Sequence, residues 1–265
     1  MSISVYWKLA MAAFRNSVYS RAGFIMHIFS SIVQMLPSML TMLFVVLRFG
    51  SIVQWKLGDY MFIFIFANLS YGLRNIFMGS FRGIPWMIVN GQLDSVLTKP
   101  INILLYISGS GFGWGAISYL ILSVTLFILF ADLFTVDWGL LNTILYLLAV
   151  ISGSLVQGAI TLAISCVAFY MMDVKSIDNL YSGFREFIWY PLNIFNKVIQ
   201  VILFTAVPLA YASFVPSGIF LRNSAYFKKV PIGLLYLSLA VGPLLFGLSY
   251  QVWKKALKRY ASSGS

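Results

Sequence analysis

Charge is what this sequence lacks most. Only 9% of its 265 residues are Asp, Glu, Lys or Arg, while 60% are hydrophobic and the mean hydropathy is +0.90. A soluble fold is excluded on that ground, because such a fold needs far more charged surface to stay in water. With one cysteine, Cys166 in "LAISCVAFY", there is no internal disulfide. Its apolar surroundings make it a packed membrane cysteine. The single histidine, His27, has no Cys or carboxylate at ligand spacing and makes no metal site alone, so it reads as a packed or headgroup-level residue. No G-x-x-x-x-G-K-[ST] loop is present, which excludes nucleotide binding of that kind. Repeats, low-complexity tracts and long flexible linkers are also missing, so residues 1–265 read as a single membrane domain.

What the chain has in abundance is apolar runs. A bilayer core about 30 Å thick takes roughly 20 helical residues per crossing, and the chain holds about six. The expected class is an all-α polytopic membrane protein. The first crossing is 22–49, longer than a perpendicular span needs and interrupted by Pro37, which predicts a tilt or kink. The second is 60–79, the third 101–130, the fourth 140–172 and the last 232–253. Two segments compete to be the fifth: "IDNLYSGFREFIWYPL", which contains Arg185 and Glu186, and "VIQVILFTAVPLAYASFV", which contains Pro208. At the start, "MSISVYWKLAMAAFRNSVYSR" lacks the compact apolar core and small-residue cleavage site of a signal peptide. Trp7, Met11, Phe14 and Val18 instead form one helical stripe beside Lys8 and Arg15, which predicts an interfacial amphipathic helix over 1–21.

The few charges are unbalanced, eighteen Lys and Arg against seven Asp and Glu, for a net +11. In a soluble protein that excess would suggest nucleic acid. Here the cations are spread through the loops, so they report orientation. With the first of the two candidate segments as the fifth crossing, one side holds Lys8, Arg15, Arg21, Arg74, Arg82, Lys99, Lys175, Lys254, Lys255, Lys258 and Arg259, the other holds Arg48, Lys56, Lys197, Arg222, Lys228 and Lys229, and Arg185 is left in the membrane. The richer side is cytoplasmic and carries both termini. The cation-free loop "ADLFTVDW", with Asp132 and Asp137, fits the outside.

Polar groups inside apolar runs are expensive to hold unless they face protein or water. Asn68, Tyr71, Gln157, Arg185 and Glu186 are therefore candidates to line a pathway through the protein. Arg74 is near enough to a helix end to snorkel. Arg185 and Glu186 also admit a plainer reading, a cytoplasmic amphipathic helix ahead of a later crossing. The series "SGSGFGWGA" follows no strand and so is no dinucleotide loop. On a helix its glycines, Gly109 with Gly113 and Gly111 with Gly115, would permit close helix approach.

The loop "SFRGIPWMIVNGQLDSVLTKPIN" combines large apolar residues with an exposed-looking polar part. Pro85 suits a helix start and Pro100 a stop. A short helix with Trp86 and Ile88 on one side could lie at the membrane surface and leave Asn90, Gln92 and Asp94 on its other sides to meet a soluble partner. Within it, "IVNGQLDSVLTKPIN" resembles the first cytoplasmic loop of ATP-binding-cassette permeases of the type-2 exporter class, in their branch of about 260 residues. Gly91, Leu93, Asp94, Leu97, Lys99 and Pro100 carry the pattern. The stretch "YPLNIFNKVIQVILFTAVPLAYASFVPS" is similar to a second signature of that branch through Pro191, Ile194, Pro208, Leu209, Ala210 and Pro216. The ending "KKALKRYASSGS" is also similar.

The resemblance implies a permease subunit with six crossings that pairs with a second permease, identical or related, and binds two cytoplasmic ATPases. ATP and Mg²⁺ would belong to those partners, and this chain would carry no cofactor. Residues 84–100 would be the coupling helix that transmits ATPase closure, with Trp86, Asn90, Gln92, Asp94 and Lys99 as its coupling residues, and 195–220 a re-entrant element before the last crossing. The implied substrate is hydrophobic or amphipathic, a drug, lipid or peptide-like product, moved outward across a bacterial inner membrane. Two other classes remain open: a membrane-embedded lipid-modifying enzyme, which would need convergent acids or histidines at the interface, and an importer permease with a solute-binding partner.

Overall fold

The computed structural model describes residues 3–19, 21–49, 55–134, 136–171, 174–222, 224 and 226–260. The side chain of His27 and the last residues of the C-terminal motif, 261–265, lie outside them. Helices make up the fold, with no strand among the described residues.

The chain opens with α1 (Ile3–Tyr19) and α2 (Arg21–Phe49), the latter carrying Pro37 inside it. Next come α3 (Leu57–Met78), a 3₁₀ turn at Gly79–Gly83, α4 (Ile84–Val89), α5 (Gln92–Leu97), α6 (Ile103–Ser110) and α7 (Ile117–Leu129). The second half is α8 (Leu140–Val167), α9 (Lys175–Arg185), α10 (Lys197–Phe204), α11 (Phe214–Ser217) and α12 (Ile232–Leu257).

Among the described residues, three stretches are long and apolar enough to cross a membrane: Leu57–Val89, Leu140–Val167 and Ile232–Leu257. The third expected crossing is not one straight helix. It divides into α6 and a second part beginning at Trp114, bent by 66°, and counts as a fourth crossing only if both halves are one span. The break falls on the glycine series, where α6 stops at Ser110 and the Gly113 amide donates to the Ile76 carbonyl at 3.0 Å. Those glycines thus interrupt a helix that they were expected to line. α2 has 29 residues, sufficient length for a crossing.

Neither segment competing for the fifth crossing forms a single long helix. α9 tightens into a 3₁₀ turn, Glu186–Trp189, and stops ahead of Pro191. Beyond it the chain makes only short pieces, α10, a turn at Leu209–Ala212 and α11, none longer than eight residues. Their irregular backbone is shielded by protein: Leu209, Ala210, Ala212 and Phe214 are fully buried against α8 and α3. Such shielding is what unpaired peptide groups need at membrane depth.

α3 is the axis of the bundle. It packs between α7 and α8 and buries most of its length, and α8 in turn packs along α12. Gly242 makes that last contact possible, since a Cβ there would collide with the Ser152 carbonyl oxygen. Caps follow local chemistry: Asn102 Oδ1 accepts from the Leu105 amide at 3.3 Å, and Asn196 Oδ1 from the Ile199 amide at 2.9 Å. Leu234, Leu237, Leu244, Leu248 and Val252 of α12 stay exposed, an apolar flank on the outside of the bundle. α1 lies against α6 and the Trp114 turn through Tyr6, Ala10 and Ala13, and leaves Trp7 and Met11 outward with Lys8 and Arg15.

Candidate functional site

Two places gather the polar groups of this apolar chain. The first is the segment after α3. Pro85 enters α4 in its first turn, where the missing amide costs nothing. Gly91 then takes φ 66°, a left-handed conformation that suits glycine, and breaks the expected single helix into α4 and α5. Both short helices are anchored from beneath. Ile84, Leu93 and Val96 are buried in a cluster with Phe81, Leu104, Leu162, Cys166 and Trp253, drawn from the same ends of α3, α6, α8 and α12.

Above that anchor the side chains divide. Trp86 is 58% exposed, and Gln92 also faces outward. Asn90 is exposed but its Nδ2 turns back to the Trp86 carbonyl at 2.8 Å, closing the C-terminus of α4. Lys99 points inward, its Nζ 2.5 Å from the Tyr106 hydroxyl and 3.9 Å over that ring, so it is tied to its own chain. Asp94 is half-buried beside Tyr260; partial burial and that carboxylate raise the Tyr260 phenol above its usual range. Of the expected coupling residues, Trp86 and Gln92 are therefore the ones that face outward, on a buried apolar footing and beside exposed Val89 and Leu97.

The second place lies within the bundle. Asn68, Tyr71, Arg185 and Glu186 line one cavity of about 130 Å³. Gln34, Met35 and Ser38 of α2, Phe64, Tyr119 and Trp189 complete its wall. Arg185 lies 4.8 Å over the Tyr71 ring and 3.7 Å from a Glu186 carboxylate oxygen. Tyr71 meets Tyr119 and Trp189 edge-on, at 5.2 and 6.1 Å. Asn68 donates to the Phe64 carbonyl one turn back at 2.8 Å, leaving its Oδ1 buried and unpaired.

Gln157 does not join that wall. It sits on α8 and donates to Ser70 Oγ at 2.9 Å, in a separate buried network between α3 and α8. Arg74 belongs to this network. Expected near a helix end and free to snorkel, it is only 1% exposed and donates to Thr161 Oγ1 at 2.5 Å and Asn75 Oδ1 at 2.6 Å. The Thr161 hydroxyl in turn donates to the Gln157 carbonyl at 2.9 Å. The rotation of α3 decides this: residues 70 and 74 share a face four apart, turned toward α8.

Gln34, Ser38 and Trp189 were missed among the cavity residues. Gln34 and Ser38 are polar groups in an apolar run, the same signal that marked Asn68. Trp189 carries no such signal, since its ring belongs in any membrane helix.

The family model described as ABC-2 family transporter protein matches residues 13–264. No curated protein and no solved structure matches the chain.

Proposed function

The chain belongs to the ABC-2 transporter family, and from that premise we propose that it is the permease subunit of an ATP-driven exporter for a hydrophobic or amphipathic substrate. Family membership makes it a transport subunit in a membrane that associates with an ABC ATPase. On our reading α2, α3, the bent α6–α7 pair, α8, the α9–Trp189 segment and α12 are its six crossings. The short helices over 195–220 then form a re-entrant element, and both termini are cytoplasmic in a bacterial inner membrane. A second permease chain, identical or related, completes the pathway, and two ATPases bind from the cytoplasm.

The observation that carries this reading is the α4–α5 segment. Its buried residues Ile84, Leu93 and Val96 root it in the ends of the long helices, while Trp86 and Gln92 face outward. Force applied to the exposed indole would thus reach α3, α6, α8 and α12 together. Aromatic anchors on rigid footings are what protein interfaces use for most of their binding energy.

The test is purification in gentle detergent with the neighbouring gene products, wild type beside Trp86→Glu and Asp94→Arg. An ATPase that travels with the wild type and is lost from Trp86→Glu supports the reading. A chain that purifies without any ATPase overturns it.

A further inference from the structure

We infer that the cavity bounded by Asn68, Tyr71, Arg185 and Trp189 recognises the anionic head of an amphiphile. This rests on the transporter reading and adds to it the class of ligand.

The cavity's size is the first observation. At about 130 Å³ it is well below the roughly 300–1,000 Å³ of sites that engulf a whole drug-sized ligand. It suits a head group and its nearest methylenes. Phe64, Tyr71, Tyr119 and Met35 supply apolar wall for those methylenes.

Unused donors are the second. Arg185 Nε and Nη1 and Trp189 Nε1 are buried without a hydrogen-bond partner, on two residues that both line the cavity. Trp189 as a whole is only 9% exposed. Buried donors without partners are rare in folded proteins because each has lost its water, and an acceptor at the cavity would restore what was lost. A carboxylate or phosphate, with several acceptor oxygens, matches a guanidinium edge and an indole N–H together. The unpaired Asn68 Oδ1 offers an acceptor to a hydroxyl or N–H of the same head.

Charge balance is the third. Two guanidinium groups lie deep in the bundle. Arg74 is held there by the neutral groups of Thr161 and Asn75. Arg185 has Glu186, but at 3.7 Å and with that carboxylate side chain 53% exposed. The interior therefore carries more positive than negative charge, and an incoming anion would reduce an imbalance that is costly at low dielectric.

The same anionic head has two sources, an acidic bilayer lipid or a separate exported amphiphile, and one experiment separates them. The permease with its ATPase, in nanodiscs of phosphatidylcholine, is titrated with dansyl-labelled undecanoic acid and with the methyl ester of that acid. The acid should bind about tenfold or more tighter, and Arg185→Gln should erase the difference. Repeating the titration in phosphatidylglycerol nanodiscs assigns the source: competition identifies bilayer lipid, and undiminished acid binding identifies a separate amphiphile. Equal binding of acid and ester, no binding of either, or a preference that survives Arg185→Gln overturns the inference. Should Arg185→Gln fail to reach the nanodisc, the wild-type ratio decides alone. ATPase retention in the same nanodiscs is scored separately, so a wild-type permease that shows no anion preference with the ATPase still bound refutes the ligand class and leaves the transporter reading standing.

Discussion

Arg82, just ahead of α4, is paired through its Nη2 with the Asp178 carboxylate on α9, and the same nitrogen donates to Ser182 Oγ at 3.0 Å. α9 ends at Arg185, less than one turn beyond Ser182. The outward-facing segment that carries Trp86 is thereby tied by side chains to the helix that delivers Arg185 to the cavity.

That pair should transmit motion more than it stabilises the fold. Both side chains are about a third exposed, 37% and 30%, and ion pairs so placed contribute only about 0–1 kcal/mol. Asp178→Arg or Arg82→Asp should leave melting temperature and ATPase binding nearly unchanged and lower substrate-stimulated ATP hydrolysis. The exchanged double variant should recover it. Hydrolysis that ignores all three variants would show that the pair carries nothing between the two sites.

Trp86 and Lys99 should behave oppositely, although both belong to the segment expected to meet the ATPase. Trp86→Ala removes an exposed ring, and loss of a central aromatic contact costs about 2 kcal/mol or more, roughly thirtyfold in affinity. Lys99→Ala breaks only the contact with Tyr106, and the ATPase should stay bound. Surface-plasmon measurements on the detergent-solubilised permease distinguish them, and equal losses would place Lys99 at the interface.

Arg74 should prove dispensable for folding. Its partners are neutral, and Thr161 keeps its bond to the Gln157 carbonyl when the guanidinium is gone. Replacing a buried charge by an apolar side chain of similar volume is often neutral or stabilising, so Arg74→Met should melt at the wild-type temperature or above. Arg74→Ala should melt lower because it leaves a cavity. A large drop for Arg74→Met, read by thermal unfolding in detergent, would make Arg74 a structural keystone.

The α8–α12 contact should be intolerant of volume. Gly242→Val drives a side chain into the Ser152 carbonyl, and overpacking of this kind costs about 1–3 kcal/mol. Ser152→Ala loses a bond to the Ser238 carbonyl at 3.0 Å and one from the Gly242 amide at 3.2 Å, about 1 kcal/mol apiece. Thermal unfolding should place both variants below wild type by comparable amounts, and a Gly242→Val variant that melts with the wild type would show that the contact tolerates volume.

The scarcity of charge by itself determined the solvent of this protein, and the spacing of its apolar runs determined that helices would fill it. Local chemistry was equally legible where one residue sufficed, as with Pro85 at the entry to α4 and the stop ahead of Pro100. The motif around Gly91 and Asp94 was enough to indicate the family. Only the tertiary structure decided which way each helix turns. A helix that is apolar on every face has no polar stripe to fix its rotation, so nothing in the order of residues separates Asn68, on the cavity, from Arg74, buried against α8. The break at Gly111–Gly113, the inward turn of Lys99 and the meeting of Trp189 with Arg185 depend likewise on neighbours far along the chain. Those neighbours exist only once the bundle has packed, because inside it each polar group takes whatever partner is within reach of its side chain.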